Sequence, residues 1–467
     1  MQQIGVRSET GALRRLFLHD PGPEVERALP WPLAGIGMAR QQLWAWPEAQ
    51  RDYNEFVGEI TNTDPSIEIL WVRRLLREIL EDPDLRERRL RELLGDSQIL
   101  ETYRDGLVTV GRSIRSISPA DVAEHLIGGW PRMGTDEIDE TGIDRIVIWP
   151  ARHLTWLRDT AVVLPSGAVI CELAEPHRVG EAAVIRALFR YHQALETNIL
   201  LDFPLENARH TGRPSTERLV FEGGNVLVLN GEAVVVGYGA PGNTFSTRTS
   251  LPAVELLANR LFTDTSISRV YSVRVPDLPG FIHLDTVLTL FGHKMAVAMP
   301  YLFGFPKPWP AVFSELLRRF YVGGTRSSDN TGPWCPDRLD GGAGEVCLYE
   351  RTICGPRAVG KSLLACLEDE GVLELDRVAF IGGDPEDFHN DAPMHLANAM
   401  WEQRQMGGNV FSLGPRETIS FRRARRTLRS VMRRLRTPGE RVVAISGGEL
   451  VKAGGGPRCL TLPLCRS

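Results

Sequence analysis

One pattern recurs along this chain: an Asp or Asn stands at the start of a short apolar strand, and a tight turn leads into a second apolar strand. Four copies cover residues 158–164 with 168–170, 224–229 with 233–236, 284–290 with 295–298, and 408–413 with 418–421. A fifth is predicted from the two chain ends, where a strand starting at Cys459 would pair with Leu13–Leu18. Helical stretches such as 180–191 and 253–261 separate several copies. Such a repeat predicts a closed, pseudosymmetric α/β architecture, because each copy buries its apolar face against its neighbours.

Two segments interrupt this repeat of paired strands and indicate the domain boundaries. The stretch 66–80 begins as a strand and continues as a helix that ends before Pro83, since the residue before a proline avoids the α region. Helices are predicted at 85–94 and 120–127. We therefore expect an α/β body over 1–73 and 146–467 and a helical insertion over 74–145. Residues 300–345 are rich in Gly, Pro and aromatic residues, which predicts a long loop, of the kind that can act as a lid.

Composition narrows the class of protein. The 467 residues carry a formal net charge of −5, which gives no reason to expect nucleic acid as the main partner. No apolar run approaches the length of about 18 residues typical of a membrane span, and the first residues lack the pattern of a secretory signal. The seven cysteines include no CxxC pair, which argues against a disulfide scaffold or structural zinc. A cytoplasmic location is the resulting expectation.

The strongest single candidate for chemistry is Cys459, which follows the run Gly454–Gly456. Glycines let the backbone approach a ligand closely and adopt conformations that other residues avoid. A thiolate in such a place is a candidate nucleophile. The alternative is a glycine turn before an edge strand with an inert thiol, and this segment alone does not decide between the two.

His283 and Asp285 are two residues apart at the start of the third repeat. On a strand both side chains would point to the same face. A His beside a carboxylate can act as a general acid or base and can anchor a cation. A surface pair is the alternative interpretation.

Two further acidic residues stand at the starts of other repeats. Glu222 precedes a pair of glycines, and Asp159 follows Arg158. The alternative interpretation is a tight turn for Glu222 and an ordinary ion pair for Asp159. If the starts of equivalent strands converge on the axis of a ring, however, Asp159, Asp285 and Cys459 face one cavity.

In chain order, the segments VRSETGALRRLFLHDPG, WLRDT, FEGGNVLVLN, STRTS, FIHLDTV and GGGPRCLTLPL resemble the arginine deiminases of the guanidine-modifying (pentein) superfamily. The resemblance spans nearly the whole chain. It implies a fivefold α/β propeller with a helical insertion. It also implies hydrolysis of the guanidinium group of arginine, or of an arginine derivative, to a ureido product of the citrulline type plus ammonia. No metal and no cofactor is implied.

The resemblance assigns a role to each candidate residue. Cys459 would attack the guanidino carbon and form a covalent thiouronium. Asp159 and Asp285 would bind the guanidinium nitrogens, because a planar cation with paired N–H groups is well matched by carboxylates. Glu222 and His283 would transfer the protons.

Four further residues are expected to bind the substrate. Arg178 and Arg248 resemble positions that hold the substrate α-carboxylate, and the alternative for each is a solvated surface arginine. Arg158 adjoins Asp159. His153 stands where the family usually has Asn, at the amino-acid end of the substrate. Because imidazole can carry charge near neutral pH, pairing of His153 with a carboxylate would weaken as the pH rises above about 6.5.

Two other functions are carried as alternatives. An amidinotransferase would use the same fold with an amine in place of water. A nucleotide- or nucleic-acid-binding regulator would use the match to the phosphate-loop pattern GxxxxGKS at 355–362 and the arginine-rich segment 421–436. We expect the phosphate-loop match to be accidental and the segment 421–436 to be an amphipathic helix with a solvated face. The expected partner is a small guanidino substrate, with no nucleic acid and no membrane, and a homo-oligomer is allowed.

Overall fold

The structure is a computed structural model of the 467-residue chain. It describes residues 4–26, 45–95, 97–131, 146–209, 218–239, 248–276, 278, 280–304, 309–321 and 343–467.

The secondary structure is mixed α and β, as the sequence predicts. The helices in the described ranges are α1 Trp46–Thr63, α2 Val72–Ile79, α3 Pro83–Leu94, α4 Ser97–Thr109, α5 Pro119–Gly128, α6 Val179–Tyr191, α7 Phe203–Arg209, α8 Leu251–Asp264, α9 Trp309–Tyr321, α10 Leu363–Asp369, α11 Ala392–Gln403, α12 Arg425–Arg434 and α13 Gly448–Lys452. The strands in the same ranges are β1 Gly5–Val6, β2 Leu13–Leu18, β3 Glu68–Trp71, β4 Trp130–Pro131, β5 Ile146–Ile148, β6 Ala161–Leu164, β7 Gly167–Ile170, β8 Ile199–Asp202, β9 Val226–Val228, β10 Ala233–Tyr238, β11 Arg269–Arg274, β12 Leu288–Phe291, β13 Met295–Ala298, β14 Val346–Glu350, β15 Arg357–Ala358, β16 Val378–Phe380, β17 Phe411–Ser412, β18 Glu417–Phe421, β19 Arg441–Ile445 and β20 Leu462–Arg466. Within these ranges, no helix has the length and apolar character needed to cross a membrane.

The repeat predicted from the sequence is present five times, and each copy holds one strand more than expected. An antiparallel hairpin is followed by a third strand that runs parallel to the second strand of the hairpin. The five copies are β6-β7-β8, β9-β10-β11, β12-β13-β16, β17-β18-β19 and β20-β2-β3. At least one helix lies between the second and third strand of each copy, as a parallel crossover requires. The predicted pairing of the two chain ends is therefore confirmed, since β2 and β20 are antiparallel neighbours.

A short turn precedes the first strand of each copy, and hydrogen bonds link these turns to one another. Three of them are single turns of 3-10 helix at Leu157–Asp159, Gly223–Asn225 and Leu284–Thr286. The linking bonds run from Leu284 N to Asn225 Oδ1 (2.9 Å), from Asn409 Nδ2 to Asp285 O (3.1 Å), from Cys459 N to Asn409 Oδ1 (3.2 Å) and from Arg158 N to Cys459 O (3.2 Å). Gly223 packs directly on the carbonyl group of Arg158, so close that an added Cβ would lie 2.2 Å from the oxygen. The residues that the sequence places before the strands are thereby brought together.

Helices α2 to α5 follow β3 and share a hydrophobic core with the first repeat. Leu75, Leu90 and Tyr103 belong to the same buried cluster as Val162 and Val184. Helix α5 begins as its sequence predicts, because the Ser118 hydroxyl accepts a hydrogen bond from Asp121 N (3.0 Å). These helices are therefore packed on the α/β body.

The segment 300–345, predicted to be a long loop, contains helix α9. Its buried aromatic residues Trp309 and Phe313 stack on each other with ring centroids 5.3 Å apart. Residues 305–308 and 322–342 lie outside the described residues.

The close approach of Gly455 to Trp156 provides a test of the packing around the last turn. A methyl group at Gly455 would lie 2.3 Å from the indole ring. We expect Gly455→Ala to lower the free energy of unfolding by about 1–3 kcal/mol, the typical cost of overpacking. The matched control is Gly180→Ala in α6, where an added Cβ meets no atom within 4 Å. It should be neutral or stabilising by up to about 1 kcal/mol. Urea unfolding measures both, and equal stability of the two variants would contradict the packing argument.

Candidate active site

Cys459 lies in the turn before β20, buried to 4% exposure. The sequence predicts a strand from this residue onward, which is wrong by three residues, because β20 begins at Leu462. The turn is held by the Asn409 side chain, whose Oδ1 accepts hydrogen bonds from Arg458 N (2.9 Å) and Cys459 N (3.2 Å). The sulfur is 3.8 Å from Asp285 Oδ2. The turn therefore places the thiol directly beside a buried carboxylate.

Asp159 and Asp285 are buried, and in each carboxylate one oxygen accepts a hydrogen bond while the other accepts none among the described residues. Asp159 Oδ2 accepts from Arg178 NH1, and Asp285 Oδ2 accepts from Arg458 NH1, both at 2.8 Å. The two Oδ1 atoms are buried and have no hydrogen-bond partner in the part of the chain that the structure describes. A buried carboxylate oxygen without a donor costs free energy, so this arrangement favours a ligand that supplies N–H groups.

His283 connects these carboxylates to Glu222. Its Nε2 lies 2.6 Å from Glu222 Oε2, and its Nδ1 lies 3.5 Å from Asp159 Oδ1. The prediction that residues 283–285 form a strand is wrong, since Leu284–Thr286 is a 3-10 turn. Gly224 packs on the imidazole, where an added Cβ would lie 2.6 Å from Nδ1. The second glycine after Glu222 is therefore needed to let the ring approach.

The charges around the thiol set its protonation. Burial raises the pKa of Cys459 well above its ordinary value, and the nearby carboxylates Asp285 and Asp159 raise it further. Burial opposes a charge on His283, but Asp159, Glu222 and Asp285 outweigh it and raise the pKa of the imidazole. Burial likewise disfavours the Glu222 carboxylate, but Arg248 and His283 hold its pKa below the ordinary value. At neutral pH, the ligand-free site therefore contains a neutral thiol and an ionised Glu222.

Arg178 and Arg248 lie in the site, so neither is a solvated surface arginine. Arg178 is buried and binds Glu181 through Nε (2.8 Å) as well as Asp159. Arg248 lies 3.5 Å from Glu222 Oε2 and 3.3 Å from Glu175 Oε1. Both guanidinium groups thus surround the acidic end of the His283 pair.

His153 and Arg158 have different hydrogen-bond partners. The backbone carbonyl of His153 accepts a hydrogen bond from Arg178 NH2 (3.4 Å), which places this residue near the two arginines. Arg158 turns the other way, and its NH2 donates to Thr461 Oγ1 (3.1 Å). The hydrogen bonds of Arg158 thus support the Cys459 turn, whereas His153 lies beside Arg178 and His177.

Sequence reasoning missed three residues of this site. Arg458, which binds Asp285, belongs to the segment GGGPRCLTLPL, and the sequence assigns it no role. Asn409 occupies the repeat position that Asp or Asn takes in the other copies, so the repeat itself contained the signal. His177, whose ring centroid is 5.5 Å from that of His153, had no sequence signal, because the two residues meet only through the fold.

The ligand atoms of Asp159, Glu222 and His283 lie within 4.8 Å of one another, which is close enough to hold a metal ion. The charges argue against that use. Arg178 and Arg248 already neutralise the two carboxylates, at 2.8 Å from Asp159 and 3.5 Å from Glu222. The arrangement instead suits proton transfer by His283 and binding of a planar cation.

The phosphate-loop pattern lies on the surface. Lys361 is exposed and pairs with Asp369 at 3.0 Å. Helix α12, within the arginine-rich segment, is amphipathic as predicted, with Val431 buried and Arg425 and Arg429 exposed.

Comparison with known proteins identifies the family. A sequence model described as "Arginine deiminase" matches residues 41–305 and 392–466, which together make up most of the chain. The arginine deiminase of Mycoplasma capricolum subsp. capricolum is 25% identical over 474 aligned residues, covering 100% of this chain and 98% of the relative. That of Bacillus cereus is 26% identical and covers 99% of this chain and 98% of the relative. The chain belongs to the arginine deiminase family, as its motifs predict.

The solved structures that resemble this chain are more distant in sequence. The N-terminal domain of ArgZ, a cyanobacterial arginine dihydrolase, solved with a covalently bound reaction intermediate, gives a TM-score of 0.47 at 13% identity, covering 97% of this chain and 98% of that one. The amidinotransferase SxtG of Microseira wollei gives 0.49 at 11% identity, covering 99% of this chain and 97% of that one. Because these scores are below 0.5, the family assignment rests on the sequence matches.

The contact between His283 and Glu222 generates a prediction. Replacing Glu222 by Gln should lower the pKa of His283, because the group 2.6 Å away loses its negative charge. A raised folded-state pKa stabilises the protein below the ordinary value of about 6.5, and this contribution is lost as the pH rises through the folded pKa. Glu222→Gln should therefore cost more stability at pH 6 than at pH 9. NMR titration of the imidazole and urea unfolding at both pH values measure these effects.

The control for this experiment is Glu48→Gln in α1, where the carboxylate is partly exposed and pairs with Arg51. It should change neither the pKa of His283 nor the difference in stability between pH 6 and pH 9. An unaltered His283 titration in Glu222→Gln would show that the pair does not control the imidazole.

Proposed function

We propose that this protein is an arginine deiminase that hydrolyses the guanidinium group of L-arginine, or of an arginine derivative, to a ureido product and ammonia. The observation that carries the proposal is the pair of buried, unpartnered Oδ1 atoms of Asp159 and Asp285 in a cluster that contains the Cys459 thiol. A guanidinium group supplies N–H donors in one plane and a positive charge, so it satisfies both oxygens at once.

Substrate binding and activation of the nucleophile are coupled in this proposal. The carboxylates that favour a guanidinium cation are the ones that raise the pKa of Cys459. A bound cation offsets their charge, so the thiol can release its proton to solvent when the substrate is in place. The reactive thiolate then forms chiefly in the complex.

The first half of the reaction forms the covalent intermediate. The Cys459 thiolate attacks the guanidino carbon and gives a neutral tetrahedral adduct. Protonated His283 donates its proton to an amino group, the C–N bond breaks, and ammonia leaves. The product is a cationic thiouronium on Cys459 and a neutral imidazole, which the ionised Glu222 holds 2.6 Å away.

The second half releases the product. Neutral His283 takes a proton from water as the oxygen attacks the thiouronium carbon. The C–S bond then breaks, the thiolate leaves, and the remaining hydroxyl proton goes to solvent as the ureido carbonyl forms. In sum, an arginine cation and water give citrulline and ammonium, with thiolate and imidazolium restored.

An amidinotransferase shares the first half and differs in the acceptor. Purified protein should convert L-arginine to citrulline and ammonia in equal amounts. Addition of a primary amine such as glycine should not divert the amidino group. Transfer to the amine in place of citrulline would favour the transferase, and no consumption of arginine or its derivatives would reject both.

We further propose that the five three-stranded repeats form a closed propeller and that residues 74–145 are a helical insertion on it. The lid expected at 300–345 stays a prediction, because residues 305–308 and 322–342 lie outside the described residues. The hydrogen bonds between successive turns and the pairing of β2 with β20 support the ring. The cytoplasmic location and the homo-oligomer remain predictions, and analytical ultracentrifugation tests the latter.

The roles of the nucleophile and of the two carboxylates are tested by substitution. Cys459→Ala should abolish turnover and retain the fold, because it removes only the thiol.

Asp159→Ala or Asp285→Ala leaves a buried charge without its partner, a loss of about 3–5 kcal/mol, so kcat/KM for arginine should fall by at least about two orders of magnitude. The matched control Asp369→Ala alters an exposed carboxylate and should retain activity. Near-normal kcat/KM in either aspartate variant, with circular dichroism unchanged, would exclude the carboxylate clamp.

The phosphate-loop match is predicted to be accidental, because Lys361 is exposed and pairs with Asp369 rather than reaching over its loop. Lys361→Ala should leave arginine hydrolysis unchanged, and titration calorimetry should detect no ATP binding. Micromolar ATP affinity that disappears in Lys361→Ala would instead support a nucleotide-binding regulator.

A further inference from the structure

Two histidines meet next to the proposed arginine site and have no role in the reaction described above. The ring centroids of His153 and His177 are 5.5 Å apart. His153 Nδ1 and His177 Nε2 are both buried, and neither has a hydrogen-bond partner among the described residues. Two buried polar atoms without partners in one place indicate that a ligand group completes their hydrogen bonding.

The positive charges around the pair come from three different elements. Arg178 lies in the turn that includes His177, Arg152 precedes His153 in the chain, and Arg248 lies before α8. Burial and these arginines lower the pKa of His177 to about 4. Burial and Arg178 also lower the pKa of His153 well below its ordinary value. Both imidazoles are therefore neutral at pH 7 in the ligand-free protein.

The acidic groups that face the pair are already committed to other partners. Glu181 accepts hydrogen bonds from Arg178 Nε (2.8 Å) and from the backbone of His153 (2.9 Å). Glu175 binds Arg248 (3.3 Å), and Glu222 binds His283 (2.6 Å). The field at the two imidazoles thus remains positive enough to repel a proton. The same field repels an ammonium group and attracts a carboxylate.

We propose that His153 and His177 form a proton-coupled subsite for the carboxylate of the arginine substrate, so that a proton is taken up when the carboxylate binds. This inference rests on the proposed function. The carboxylate supplies a negative charge beside the arginines. The imidazole that takes up the proton can then donate a hydrogen bond to it, and the other, neutral imidazole can donate through its single N–H.

The coupling has a definite sign. A bound carboxylate raises the pKa of the histidines relative to the free protein, so the complex holds more protons at a pH between the two values. Affinity for arginine should therefore strengthen as the pH falls. The sequence-based expectation of a transition near 6.5 assumed an ordinary histidine and is corrected here, because burial and the arginines lower the pKa of His153.

The experiment is titration calorimetry of full-length Cys459→Ala with L-arginine at pH 5.5 to 8, in buffers of different ionisation enthalpy. We expect uptake of up to about one proton and, in the pH range of uptake, tightening of Kd by up to about tenfold per pH unit. The matched ligand is agmatine, which has the same guanidinium group and no carboxylate. It should show a smaller uptake, from which any contribution of His283 is read directly. Equal uptake and equal pH dependence for both ligands would overturn the subsite.

Variants assign the proton to its residues. In the Cys459→Ala background, His153→Gln and His177→Gln should each reduce the proton uptake with arginine, and the double variant should abolish the difference from agmatine. The control is His293→Gln, which alters an exposed imidazole and should change nothing. Thermal unfolding checks that the variants are folded.

If a histidine variant fails to fold, the comparison of proton uptake with arginine and with agmatine, made on the protein with both histidines intact, still decides the question. Full proton uptake in the folded double variant would overturn the proposal. Failure of the proposed function looks different, since arginine would then show neither binding nor hydrolysis.

Discussion

The site depends on two negative charges buried beside a thiol. Arg178 and Arg458 each bind one oxygen of one of these carboxylates at 2.8 Å, which offsets part of the cost of burying them. Glu9 in turn binds Arg458, and this contact is strong enough to lower the pKa of the buried Glu9 to about 2, despite the opposing effect of burial. The same charges favour a cationic substrate and keep Cys459 protonated without one. In the proposed mechanism, a single electrostatic arrangement thus accounts for both the specificity for guanidinium and the control of the nucleophile.

The backbone holds these charges in position by distributing them over turns of separate repeats. Asp159, His283 with Asp285, and Cys459 each lie in a turn before the first strand of a different repeat, and side-chain amides of Asn225 and Asn409 bind the neighbouring turns. Glycines at 224 and 455 allow a ring to approach where any side chain would clash. The β hairpins supply the rigid support, and the turns supply the chemistry, as is usual for sites built on loops of a stable scaffold.

Many of the hairpins and helices could be predicted from the local pattern of residues. The elements that could not be predicted share one cause, which is dependence on distant parts of the chain. The hairpins followed from short apolar runs with tight turns between them, and α5 followed from the helical pattern at 120–127. The third, parallel strand was not predicted as part of the repeat, because its partner lies beyond a helix in the chain. The start of the stretch 66–80 was predicted to be a strand and is β3, but its pairing with β2 was not predicted. The expected strand geometry at 283–285 and at 459–461 was also wrong. Both segments form turns, since the side chains and amides gathered there bond to groups from other repeats.

The sequence by itself determined the family, the mixed α/β class, the five-copy repeat and the residue types able to bind and attack a guanidinium, because these depend on motif order and on the period of apolar residues. Only the tertiary structure decided how those residues act on one another. Arg178 binds Asp159, Arg458 binds Asp285, Arg158 turns toward Thr461, and His177 meets His153. The protonation of Cys459, His283 and His153 likewise depends on burial and on charges from distant parts of the chain. Such fields fall off with distance in space, which the order of residues along a chain does not specify.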